Sequence, residues 1–371
     1  MDAALARVLR RRLATQRLAG APFAAPADAV RTLACVQAQD APMAAYGLAL
    51  RSRARARAGV DADQARGGFV RTHILRPTWH LVAPEDLRWI LRLTSPAVER
   101  GMGARHRQLG LDDPAVVTAA HRALERLLAG RTPMTRGELT AHLAPEGPLR
   151  GQQAGHLLAL AELRGLICSG PPRGGQHTYA LVDETVPAGP DDDPPREVAV
   201  ARLVHRFFAG HGPATDRDMA RWCTLGLREI RAGVADLGDR LASVTVGDAT
   251  LHMDPDAKAR ARSAPAALLL STFDEAALTY RDHGFPRASP AVDRSRLIAE
   301  QGGGVVIVGL EDVGTFTRTV TGGRVDVTIR QERPLDASER DAVAGAAGRL
   351  AAFHEAGADV RFAGPRGDGG G

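Results

Sequence analysis

Apolar positions recur at helical spacing through residues 3–18, and Pro26 can open a second helix over residues 27–36. Pro42 can open a third, running to Leu50 and into a run of arginines. Residues 69–82 then read as a hairpin broken by Arg76-Pro77. Further along, the chain repeats itself. Pro133-Met134-Thr135-Arg136-Gly137-Glu138-Leu139 and Pro213-Ala214-Thr215-Asp216-Arg217-Asp218-Met219 share a proline, a threonine two later, an acid three after that and then an apolar residue, at an offset of 80. Thr-x-x-acid is a capping-box pattern: the hydroxyl accepts from an orphan backbone N–H and the acid reaches back to the cap. After the first start, residues 152–164 carry Leu157, Leu160 and Leu163 on one helical face; Leu166-Ile167-Cys168, a loop over 170–175 and Thr178-Tyr179-Ala180-Leu181 follow. After the second, residues 228–237 carry Ile230, Val234 and Leu237, and strands over 241–246 and 250–253 flank Gly247-Asp248. Helix, helix, hairpin is the winged-helix plan, and the first 110 residues read as a third, more divergent copy.

The rest of the chain differs. Pro187-Ala188-Gly189-Pro190-Asp191-Asp192-Asp193-Pro194-Pro195 can continue neither a helix nor a central strand, so it reads as a linker. Residues 304–309 form a short buried-strand run, 315–320 and 324–330 alternate around Thr321-Gly322-Gly323, and 336–353 are an alanine-rich helix. The predicted class is α+β: winged-helix units over 1–110, 111–186 and 198–262, a linker at 187–197, a β-rich region over 263–363 and a frayed tail at 364–371.

Charge adds a location. Of 48 basic residues only Lys258 is a lysine, and residues 1–110 hold 18 arginines against 8 acids, while the remainder carries 30 basic against 35 acidic residues. A basic N-terminal third on an otherwise acidic chain predicts a localised polyanion surface, since phosphate contacts come mostly from Arg and Lys; the alternative is a solvated arginine-rich face. The alternating Arg51, Arg53, Arg55 and Arg57 suit either a phosphate backbone or a solvated helix end.

Other chemistry is largely excluded. No stretch approaches the roughly 20 apolar residues that cross a bilayer, and the N-terminus runs into Arg10-Arg11-Arg12, unlike a secretory signal, so a cytoplasmic location is expected. Cys35, Cys168 and Cys223 are odd in number and far apart, which argues against disulfides and zinc alike. His73, His80, His205 and His211 lack partners at ligand spacing, so no metal is assigned. Gly302-Gly303-Gly304 precedes a strand, the reverse of a phosphate-cradling loop, and no Gly-x-Ser-x-Gly elbow is present. One segment stands apart. Gln37-Ala38-Gln39-Asp40 places two amides and a carboxylate between two predicted helices, where Asp40 can also be a simple helix cap.

Gln37-Ala38-Gln39, Arg71-Thr72-His73-Ile74-Leu75-Arg76-Pro77-Thr78-Trp79-His80, His211-Gly212-Pro213 through Arg221-Trp222, Leu268-Leu269-Leu270-Ser271-Thr272-Phe273-Asp274 and Tyr280-Arg281-Asp282 together resemble the winged-helix DNA glycosylases that unhook interstrand crosslinks, the AlkZ branch in particular. The resemblance implies a C-shaped stack of three winged helices plus a β-rich region. It also implies hydrolysis of the N-glycosidic bond of N7-alkylated purines, crosslinked ones included, in DNA repair and self-resistance to alkylating natural products, without cofactor or metal. The family's Gln-apolar-Gln motif maps onto Gln37 and Gln39. Its alternative form ends in aspartate, and here Asp40 lies one residue beyond that place, as a secondary candidate. Arg51, Arg53, Arg55, Arg71, Arg76 and Arg173 are expected to meet duplex DNA, with Gly322, Gly323 and Arg324 as a groove probe. The expected protein is a monomer, nucleoid-associated, with double-stranded DNA as partner. A non-catalytic winged-helix transcriptional regulator is the competing reading; it predicts sequence-specific binding where the enzyme predicts lesion-dependent turnover. RNA binding finds no aromatic platform among three Trp and three Tyr.

Overall fold

The computed structural model describes residues 1–130, 133–143, 152–173, 175–256, 263–280, 284–289 and 302–364. Gly174, Arg281, Asp282 and the tail beyond residue 364 lie outside these described residues. The protein has a mixed α+β fold in two compact units, neither contiguous in sequence: one comprises Met1–Asp63, His205–Met219 and the chain from Leu237 onward, the other Gln64–Val204 and Ala220–Asp236. These units do not follow the contiguous segments expected from the sequence.

The first unit is organised by a five-stranded sheet in the order Gly357–Ala363, Arg324–Gln331, Glu311–Thr321, Gly304–Val308, Ala267–Ser271. Neighbours are antiparallel except Arg324–Gln331 with Gly357–Ala363, which run parallel. A parallel pair needs a crossover, and helix Ala337–Phe353 supplies it. Its N-terminus is fixed by a capping box between Asp336 and Glu339, and it buries Val343, Ala346, Ala347, Leu350 and Phe353. Helix Ala41–Arg51 packs on strand Ala267–Ser271 and on this crossover helix, with Tyr46 and Phe353 meeting edge to face at 5.5 Å. Leu9, Leu13 and Leu18 from the first helical region close a core with Leu268, Leu270, Ile307 and Leu310.

The second unit holds the long helix Pro84–Gln108, the hairpin Val70–Ile74 with Arg76–Val82, and helix Pro114–Leu128. Next come strand Met134–Thr135, helices Arg136–His142 and Gln152–Leu163, and the hairpin Ile167–Arg173 with Gln176–Leu181. Met134–Thr135 pairs with the last of these strands. Leu124, Leu128, Leu139, Leu157, Ile167 and Tyr179 fill its core.

Both predicted capping boxes are present. Glu138 accepts from the Thr135 backbone N–H at 2.7 Å, and Asp218 from that of Thr215 at 2.9 Å. Three local readings need correction. The second helix stops at Leu33 rather than residue 36, and Cys35–Gln37 is extended. The arginine run is divided: Arg51 ends one helix, Arg57 begins the next, and Arg53 and Arg55 lie between. Strand Gly357–Ala363 was not foreseen, because Gly357, Ala358 and Asp359 have low strand propensity and the strand exists through its pairing.

Candidate active site

The segment carrying Gln37 and Gln39 is shaped by its two ends. Helix Pro26–Leu33 is stopped by Ala34, which is fully buried and adopts φ 61°, a left-handed conformation that a residue with a Cβ enters at a cost of about 1–3 kcal/mol. The chain then runs extended through Cys35–Gln37 and stays non-helical until Ala41. The break expected at Ala38 is there. The strand ends at Gln37 and the chain bends at Gln39, with the fully buried Ala38 between the two glutamines. Gln37 is buried at 6% exposure, and Gln39 beside it is half-buried.

Asp40 caps the next helix: Oδ1 accepts from Met43 N–H at 3.1 Å. Oδ2 accepts from Gly302 N–H at 2.7 Å, so each carboxylate oxygen carries a backbone hydrogen bond. From the sheet, the Arg318 Nε lies 3.0 Å from Met43 Sδ.

Behind the motif lies a buried polar network within the same unit. Gln37 donates its backbone N–H to Glu275 Oε1 at 2.8 Å. Glu275 Oε2 accepts from His211 Nε2 at 3.2 Å and from Thr279 Oγ1 at 3.1 Å. The Tyr280 hydroxyl donates to the His211 carbonyl at 2.6 Å and accepts from Gln16 Nε2 at 3.0 Å. Burial pushes the Tyr280 phenol well above its ordinary range, which keeps it a donor. Arg12 lies 3.6 Å over the Tyr280 ring and donates to the Pro213 carbonyl at 2.7 Å.

Arg51 closes this network, which corrects the expectation that it meets DNA. It is 2% exposed and grips Asp274 with two hydrogen bonds of 2.7 and 2.8 Å, while Nη2 also donates to Gln16 Oε1 at 2.8 Å. Burial alone would lower its pKa, but Asp274 outweighs this and raises it. Arg71 is buried too. In the second unit its guanidinium stacks 4.3 Å over Trp79 and donates to His177 Nδ1 at 3.3 Å. Burial, with Arg71 and His73 beside it, pushes the His177 imidazole down to about 4, so it accepts this bond as a neutral ring. Beneath lies the fully buried Glu162, which accepts from Trp79 Nε1 at 3.1 Å and from His73 Nδ1. These arginines are spent on packing.

The other expected DNA ligands are nearer solvent. Arg53 and Arg55 are exposed; Arg76 is half-buried and donates to the Arg221 carbonyl at 3.4 Å; Arg173 is exposed and paired with Glu138. Gly322 and Gly323 have φ 55° and 77°, which suits the two-residue turn joining Glu311–Thr321 and Arg324–Gln331. Arg324 beside it is exposed and pairs with Asp326 at 3.0 Å and with Asp359. Among the described residues, no group of three His, Cys, Asp or Glu could hold a metal, and no helix is long and apolar enough to cross a membrane.

Glu275 is the residue sequence reasoning missed. It stands 238 positions from Gln37 in a four-residue helix, and no local pattern marks it.

Comparison with known proteins fits this geometry. The interstrand DNA cross-link repair glycosylase of Streptomyces sahachiroi is 28% identical over 269 residues, 67% of this chain and 70% of that protein. The solved structure of the Streptomyces sahachiroi DNA glycosylase AlkZ superposes with a TM-score of 0.76 at 24% identity, over 98% of this chain and 100% of that one, which shows a shared fold. The profile of the family described as DNA glycosylase AlkZ-like matches residues 30–353, and the chain belongs to that family of DNA glycosylases.

Proposed function

We propose that the protein excises N7-alkylated purines from double-stranded DNA and unhooks interstrand crosslinks, with Gln37 and Gln39 as the catalytic pair. The observation that supports this reading is the non-helical Gln37-Ala38-Gln39 segment, which leaves a strand at Gln37 and keeps Gln39 half-buried rather than closed in the core. An N7-alkylpurine is already cationic, so it leaves neutral and needs no general acid. Water attacks C1′ of the sugar, the C1′–N9 bond breaks with its electron pair going to the purine, and the proton from water passes to solvent. What the protein must add is an oriented water and dipoles that favour positive charge on the sugar, which preorganised amide oxygens supply. Asp40 is the weaker candidate for base, because both of its oxygens are committed to backbone N–H groups.

The finer architecture belongs to the same reading: three winged helices in a C-shaped cradle followed by a β-rich region. The helix, short strand, helix, helix, hairpin order within residues 114–181 supports it. A monomer acting in the cytoplasm on nucleoid DNA, with phosphate contacts from Arg53, Arg55, Arg76 and Arg173, completes the proposal. Incubation with a duplex containing a single N7-methylguanine is expected to yield abasic sites, seen as strand cleavage on heating in alkali. Tight binding with no abasic product would favour the regulator instead.

The Gly322-Gly323 hairpin is the proposed groove probe, since residues 319–324 are exposed and Val320 at its tip is 40% exposed, an apolar wedge on a polar ribbon. Val320 pairs with Val325 and Thr321 with Arg324. Deleting those four residues shortens the hairpin without shifting its register. Crosslink unhooking is expected to fall about 10-fold, with N7-methylguanine excision within about 3-fold of the parent, because losing a wedge forfeits on the order of 1–2 kcal/mol of duplex distortion. Equal losses on both substrates would remove the idea.

A further inference from the structure

We infer that Glu275 is a positioning residue for the reaction, acting through the backbone of Gln37; this rests on the assignment of Gln37 and Gln39 as the catalytic pair. The Gln37 N–H lies where a strand ends and no helix has begun, buried, and a buried backbone donor must find an acceptor. Glu275 meets it at 2.8 Å. A charged acceptor makes this bond shorter and stronger than a neutral one, which suits an anchor that must hold against the pull of a bound duplex. The carboxylate is itself held at its other oxygen by His211 and Thr279, so it cannot swing away.

The neighbouring residue grips the far side of the same segment. Asp274 caps the short helix that begins at Glu275 and takes both hydrogen bonds from Arg51, the last residue of the helix that follows the glutamine motif. Two adjacent acids therefore clamp residues 37–51 at the motif and at its trailing helix. Asp274 fixes the helix; Glu275 sets where Gln37 stands relative to it. A positional error of about 1 Å at a catalytic group costs on the order of 100-fold in rate, so the anchor's effect falls on chemistry rather than on DNA affinity.

Single-turnover excision of N7-methylguanine from duplex DNA tests this, with dissociation constants and urea midpoints measured on the same proteins. Glu275→Ala is expected to slow excision about 30-fold or more while duplex affinity stays within about 3-fold. Glu275→Gln is expected to restore most of the rate, because its amide oxygen can accept from the Gln37 N–H and its NH2 group can donate to the Thr279 hydroxyl. Glu275→Asp keeps the charge but is one methylene short, and is expected to remain slow. In a Gln37→Ala background, Glu275→Ala should add little further loss, the non-additivity of two residues acting as one unit. Should Glu275→Ala and Glu275→Gln lose rate only in proportion to lost stability, or should the losses of the double variant multiply, the anchor is structural and the inference fails. Should Gln37→Ala itself excise at the parental rate, the catalytic assignment fails first, and that result is read separately from the Glu275 series.

Discussion

Gln37→Ala and Gln39→Ala are each expected to lower single-turnover excision by about 100-fold or more, the scale seen when one preorganised dipole is removed from a transition state. Duplex affinity should change by less than about 3-fold, because neither side chain carries charge toward phosphate. Asp40→Asn is expected to retain most of the parental rate. Its amide oxygen can still accept from one backbone N–H, and the water-orienting pair is intact. The rate should stay nearly constant between about pH 6 and 8, since amides do not titrate there. A dead Asp40→Asn protein beside near-normal glutamine variants would transfer the chemistry to the carboxylate.

The local elements were legible because each has a local cause. Threonine and acid three apart seeded the two capping boxes, and Gly322-Gly323 supplied the positive φ values of its turn. The non-helical break at Ala38 could be anticipated from its place between two helices, although the helix before it ends three residues earlier than its apolar pattern suggests. What was not legible depends on distance along the chain. Strand Gly357–Ala363 exists by parallel pairing to Arg324–Gln331, which no window of a few residues contains. Glu275 and Gln16 read as ordinary polar residues until the fold gathers them, with His211, beneath residue 37. The arginines misled for a related reason. Composition counts a guanidinium as surface charge, but Arg51 and Arg71 each found a partner within the protein, a buried carboxylate in one case and a half-buried indole face in the other.

Arg51 also gives the largest expected effect on stability. Its guanidinium and the Asp274 carboxylate are 2% and 3% exposed, and they meet in a two-bonded fork. Removing one partner strands the other charge in the interior, so Arg51→Ala is expected to destabilise the protein by about 3–5 kcal/mol. Urea unfolding would report this as a lower midpoint with little change in slope. Gln16 Oε1 loses its 2.8 Å donor at the same time, and the Gly47 carbonyl loses its 3.0 Å donor, which adds to the cost. Arg51→Lys should recover only part, since an ammonium cannot form the planar fork that both Asp274 oxygens accept. The decisive comparison is Arg51→Met with Asp274→Leu. Replacing both partners leaves no stranded charge, and apolar pairs of similar volume can match a buried ion pair, so the double variant should be more stable than either single one. A phosphate ligand would behave otherwise: Arg51→Ala would weaken duplex binding and flatten its salt dependence at unchanged stability. That outcome would return Arg51 to the DNA surface, where its charge alone had first placed it.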